Sequence, residues 1–90
     1  MAVGCDFREV EDGLNNGPED RCQERTGLQA VSFGPACSAL SAKVVEGGCP
    51  TEGIVFGCQQ NADVVDWHYA PTTRDQAEQE CRSQTILDPP

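Results

Sequence analysis

Ninety residues make one domain, and a chain of that length buries only a modest share of its surface. Fifteen acidic residues against six basic ones give a formal net charge of −9, which excludes a phosphate-tracking basic stripe and with it a nucleic-acid partner, and opposes an anionic membrane. Val, Ile, Leu and Phe number only seventeen, a composition near the disordered class, so the six cysteines, an even set spread over almost the whole chain, read as a disulfide framework that compensates for a thin core.

Residues 1–21 hold six acids, Asp6, Glu9, Glu11, Asp12, Glu19 and Asp20, against Arg8 and Arg21. Asp12-Gly13, Asn15-Asn16-Gly17-Pro18 and Pro18-Glu19-Asp20 are turn chemistry. The segment is expected to be an acidic arm or loop pinned at Cys5 and Cys22, with Phe7, Val10 and Leu14 as a weak apolar side. Met1-Ala2-Val3-Gly4 is too short for a signal-peptide core, so the chain is read as a mature segment with Met1 as an added start. Ala2-Val3-Gly4-Cys5 loosely resembles the end of a bacterial lipoprotein signal. A lipid anchor at Cys5 is the minor alternative, since it would strand one of the remaining cysteines.

Cys22-Gln23-Glu24-Arg25-Thr26 reads as a short strand ended by Gly27. A helix is expected from about 32 to 42, with Ser32 as cap, Pro35 in the first turn, and Phe33, Cys37, Leu40 and Val44 as its buried stripe. Gly47-Gly48 breaks that pattern. Residues 53–69 carry the hairpin signal. Pairing Ile54 with Tyr69, Phe56 with Trp67 and Cys58 with Val65 gathers the apolar residues on one face and turns His68 to the other. A second helix is expected over about 73–83. Thr73 and Gln76 form its capping box, and Thr73, Ala77 and Cys81 lie on its inner face. The tail 86–90 is expected to fray. No internal repeat is evident in the sequence, and no apolar run is long enough to span a membrane.

These elements predict an α+β, small disulfide-rich domain at 22–85: a short antiparallel sheet with two helices packed on one face, in β-α-β-β-α order. Cys37, Cys58 and Cys81 then point into one shared core. Six cysteines allow fifteen pairings. Cys37–Cys49 is favoured because the two are close in sequence, Cys22–Cys58 because it would join neighbouring strands, and Cys5–Cys81 by what remains.

Cys22-Gln23-Glu24, a helix bearing Cys37, the stretch Cys49-Pro50-Thr51-Glu52-Gly53-Ile54-Val55-Phe56-Gly57-Cys58, an aromatic strand with Tyr69 and a helix bearing Cys81 follow one another. Over about sixty residues this resembles small cysteine-rich modules of predicted secreted proteins and lipoproteins of myxobacteria and related bacteria. The resemblance implies an extracytoplasmic location and no transferable activity. Glu24-Arg25 departs from its usual Glu-Tyr, and the Gly-Gly usual after the helix cysteine is absent.

Chemistry finds little purchase. The cysteines are separated by 16, 14, 11, 8 and 22 residues, without the close pair of a zinc site or a Cys-x-x-Cys redox motif. Asp6, Glu9, Glu11, Asp12, Asn15 and Asn16 do not follow the ligand spacing of a calcium loop. Asp66 and His68 share a strand face with serines elsewhere at 32, 38, 41 and 83, but no nucleophile elbow accompanies them. Trp67, His68 and Tyr69 are the candidate partner contacts. Trp67 and Tyr69 serve equally well as core, and His68 as a half-exposed neighbour. The expectation is therefore a non-enzymatic, monomeric, secreted, periplasmic or cell-surface module without cofactor or metal, acting in structure or in contact with another protein. The alternative is a small secreted inhibitor or effector that docks into a target enzyme.

Overall fold

The computed structural model describes residues 1–10 and 19–90; the turns and acidic side chains expected at 11–18 lie outside the described residues. Among the described residues six strands form one sheet, in spatial order β3-β1-β2-β5-β4-β6. They are β1 (Ala2–Asp6), β2 (Arg21–Thr26), β3 (Lys43–Glu46), β4 (Ile54–Asn61), β5 (Val64–Tyr69) and β6 (Thr85–Leu87). Every neighbouring pair is antiparallel. With the short helices α1 (Phe33–Ala39) and α2 (Ala77–Cys81), the described residues run in the order β-β-α-β-β-β-α-β rather than β-α-β-β-α.

Three expected elements change for local reasons. The acidic segment 1–21 supplies β1, which lies between β2 and β3. The first helix stops early because Ser41 adopts a φ of 59°, and the β-branched pair Val44-Val45 then enters β3 instead of extending the helical stripe. Ile86 and Leu87 of the expected tail join Thr85 in a strand that pairs with β4. The capping box of Thr73 and Gln76 does form, on a 3-10 turn (Arg74–Gln76) that leads into α2.

The hairpin of β4 and β5 is bulged. Ile54 opposes Tyr69, but Phe56 opposes His68, Gly57 opposes Trp67 and Cys58 opposes Asp66, with a register shift between Ile54 and Phe56. One extra residue moves every later side chain to the other face. Phe56 and Cys58 therefore project with His68 and Asp66, not with Trp67 and Val65.

The register also relates the two halves of the chain. β1, β2, α1 and β3 are matched in order by β4, β5, α2 and β6. Cys5 opposes Val44 in the first half, as Cys58 opposes Ile86 in the second. Cys5 opposes Gln23, as Cys58 opposes Asp66, and Gln23 and Asp66 oppose each other where the halves meet. Directly opposed residues project from the same side of a sheet. Val44, Cys5, Gln23, Asp66, Cys58 and Ile86 thus form a row that reads alike from either end. An approximate two-fold, running between Gln23 and Asp66, equates Val3 with Phe56, Gly4 with Gly57 and Arg25 with His68.

The disulfides follow this plan. Cys5–Cys37 ties β1 to α1, and Cys58–Cys81 ties β4 to α2. Cys22–Cys49 fixes β2 to the segment joining the halves. The expected pairs Cys37–Cys49, Cys22–Cys58 and Cys5–Cys81 are all replaced. β5 separates Cys22 from Cys58 in the sheet. Moreover, Cys22 opposes Trp67 while Cys58 opposes Asp66, so the two sulfurs leave opposite faces. The shared core divides as well. Cys37 joins Val3, Cys5, Phe7, Ala30, Phe33 and Ala42; Cys58 and Cys81 join Phe56 and Ala77; Cys22 and Cys49 join Tyr69.

Candidate functional site

On the face of β5 that carries Asp66 and His68, the neighbouring strand presents Gln23 and Arg21. Asp66 is saturated: one carboxylate oxygen accepts from the Gln23 amide at 2.9 Å and from Arg21 Nη1 at 3.4 Å, and the other accepts from the Gln60 amide. Arg21 is equally committed. Its Nε donates to Glu19 Oε1 at 3.1 Å, and its guanidinium carbon lies 4.1 Å from the centre of the Phe7 ring. Asp66 therefore holds the β2–β5 junction and is not positioned to orient His68 as a base.

His68 stacks on Phe56, with ring centres 4.7 Å apart and planes 15° from parallel. It is 8% exposed, not the half-exposed residue expected, because the bulge in β4 brings Phe56 onto its face. Burial pushes its pKa below the ordinary 6.5, against the opposing pull of Glu80 and Asp66, so the ring is predominantly neutral at pH 7. Beside it opens a cavity of about 160 Å³ lined by Glu19, Asp20, Arg21, His68, Thr72 and Glu80. Glu19 and Asp20 lead into β2, Thr72 follows the cis Ala70–Pro71 bond, and Glu80 stands on α2.

The other side of β5 is structural. The Tyr69 hydroxyl donates to the Pro50 carbonyl, and the Arg8 guanidinium lies 3.8 Å from the Tyr69 ring centre. Arg8 in turn grips the buried Asp6 carboxylate with both Nε (3.0 Å) and Nη2 (2.9 Å). Burial pushes the Tyr69 pKa up to about 12. Trp67, half-buried, lies over Gly57, where a Cβ would come within 2.6 Å of the indole. The dyad-related Gly4 serves the same purpose, its missing Cβ leaving room for the Cys49 backbone nitrogen at 3.0 Å. Of the three candidate contact residues, then, Tyr69 packs inward, Trp67 covers a glycine, and His68 lines the cavity.

All six sulfurs are in disulfides, so no thiol remains for metal or redox chemistry. Among the described residues no group of three or more His, Cys, Asp and Glu side chains is arranged to hold a metal ion. None of Ser32, Ser38, Ser41 and Ser83 lines the cavity. Glu19, Asp20, Arg21, Thr72 and Glu80 carried no signal in the sequence as a set; they meet only because β2 pairs with β5 and α2 folds back on β4. No helix among the described residues is long and apolar enough to cross a membrane. No protein-family model, curated protein or solved structure matches the chain.

Proposed function

We propose that the chain is a non-enzymatic, extracytoplasmic module that presents a rigid surface to another protein, with both helices on one face of the sheet. The observation that carries this reading is the use of every cysteine in three disulfides, two of which pin a helix to a strand. Crosslinking of that kind suits an oxidising compartment and a small core. The palindromic row supports the shared face, because Cys5 and Cys58 leave the sheet on the same side. The resemblance to cysteine-rich modules of secreted bacterial proteins points to the same setting. The test is the intact mass of protein refolded in air and of protein made under reducing conditions. The oxidised form should weigh six hydrogens less and give a cooperative unfolding transition. A reduced form that folds as stably would remove the basis of the proposal.

A second reading, a secreted inhibitor, is favoured by the segment Cys49–Gly53. Cys49 is anchored by its disulfide and by its N–H, which donates to Glu24 Oε1 at 2.7 Å, while the Pro50 carbonyl accepts from Tyr69. Thr51, Glu52 and Gly53 stand exposed between these anchors and β4. A loop held at its base loses little freedom on docking. Inhibition of a protease or glycosidase that is abolished by Thr51→Asp or Glu52→Arg would support this reading; a panel with no inhibition at high concentration would count against it.

A further inference from the structure

We propose that the cavity beside His68 receives the cationic end of a basic side chain, ammonium or guanidinium, presented by a partner protein. The proposal deepens the interaction-module reading and rests on it. Its starting point is His68, more than nine-tenths buried, yet without a hydrogen bond to its ring nitrogens from any described residue. Among the described residues no polar side-chain atom is both sealed and unpartnered, so these nitrogens keep an opening, and the ring lines the cavity. The ring nitrogens thus have no partner among the described residues and can be reached only through that opening, by water or by a ligand. A neutral imidazole offers one acceptor nitrogen.

The charge of the walls selects the guest. Three carboxylates, Glu19, Asp20 and Glu80, face one guanidinium, Arg21. Arg21 is already held by Glu19, by Asp66 and over Phe7, so it is not free to receive an anion. Asp20, Thr72 and Glu80 make no side-chain hydrogen bond to any described residue. An N–H-rich cation can donate to these oxygens and to His68 together. The net charge of −9 favours its approach from a distance.

In the first half of the chain the position equivalent to His68 carries a cation of the chain's own. Arg25 is the dyad equivalent of His68. Its guanidinium lies 4.2 Å from the centre of the Phe33 ring, and its Nε donates to Gln23 Oε1 at 2.9 Å. Phe33 stands four residues before Cys37 on α1; four before Cys81 on α2 stands Ala77. Where the first half holds its own cation on an aromatic ring, the second has a shorter neutral side chain, a smaller helix residue and an open cavity.

The test is a titration of ¹⁵N-labelled protein at pH 7.5 and low salt with N-acetyl-lysine amide and N-acetyl-arginine amide, with N-acetyl-norleucine amide as the uncharged control. The cationic probes should give saturable amide shifts at His68, Thr72 and Glu80, and the control none. Glu80→Gln, at an exposed position, should weaken binding several-fold with unchanged thermal stability. Below pH 6.5, protonation of His68 adds a positive charge among Glu19, Asp20, Asp66, Arg21 and Glu80 and should weaken binding further; His68→Gln should remove that part of the pH dependence. Equal shifts with the norleucine probe, no saturable shifts, or unchanged binding by Glu80→Gln would overturn the proposal. None of these failures touches the disulfide-module reading, which the intact-mass comparison decides separately.

Discussion

The half of the chain that ends with β3 and the half that begins with β4 run through the same elements in the same order, but they are held together differently. In the first, the cluster around Cys5–Cys37 also contains Val3, Phe7, Ala30, Phe33 and Ala42, and Arg25 lies over Phe33. In the second, the buried residues described around Cys58–Cys81 are Phe56 and Ala77, with Val55 and Ile86 partly buried against them, and His68 covers Phe56 at the edge of a cavity. One topology thus tolerates two balances of apolar burial and covalent crosslink. The cavity opens beside the smaller cluster, where the crosslink, Phe56, Ala77 and the partly buried Val55 and Ile86 pack together under α2.

The sharpest way to break this comparison is to remove that phenylalanine. Phe56 is fully buried, and Phe56→Ala should cost about 3–5 kcal/mol in denaturant unfolding without reductant. Val3→Ala at the equivalent position should cost clearly less; equal losses would mean that the halves are not packed differently. Removing either helix-pinning disulfide, by Cys58→Ala with Cys81→Ala or by Cys5→Ala with Cys37→Ala, should cost about 2–4 kcal/mol. Their sequence separations, 23 and 32, are too similar for chain entropy to distinguish them. Amide exchange should do so: α2 loses its protection in the first variant, and α1 keeps most of its own in the second.

Smaller effects refine the picture. Gly57→Ala must displace the Trp67 ring and Gly4→Ala the backbone at Cys49, so each should cost about 1–3 kcal/mol, with a shift of indole fluorescence only in the first. Tyr69→Phe loses the hydrogen bond to Pro50 and about 1 kcal/mol. Because the folded Tyr69 holds its proton to about 12 against an ordinary 10.0, the wild type should lose stability as pH rises between those values, and Tyr69→Phe should remove that loss. On the acid side the sign reverses. His68 is kept neutral by burial, so its contribution is full above 6.5 and is lost as pH falls through its lowered folded value. His68→Gln should flatten that part of the pH profile.

Local signals were legible wherever the physics is local. The strand at Cys22–Thr26, the hairpin at 53–69 and the capping box at Thr73 and Gln76 are set by alternation and by hydrogen bonds within a few residues. The burial of Cys37, Cys58 and Cys81 followed from periodicity. What escaped depends on partners distant in sequence. β1 reads as an acidic loop because only two of its five residues, Ala2 and Val3, are aliphatic, and its strand character comes from neighbours on both sides. The bulge in β4 gave no sign, and it alone reverses which aromatics share a face. The two-fold was hidden because its equivalent positions differ in chemistry: Val3 and Phe56, Arg25 and His68, Phe33 and Ala77. The cavity was illegible for the same reason, since its walls come from three separate stretches of chain.

The central claim, two separately pinned halves joined by one further crosslink, is tested most directly by non-reducing peptide mapping. Trypsin cleaves after Arg8, Arg21, Arg25, Lys43, Arg74 and Arg82, isolating every cysteine except Cys49 and Cys58, which share one peptide. Two linked species are expected: 1–8 with 26–43, and 22–25 with 44–74 and 75–82. Further cleavage after Glu52 should split the second into a Cys22–Cys49 pair and a Cys58–Cys81 pair. A link between 1–8 and 75–82, or between Cys22 and Cys58, would cross the halves and contradict it.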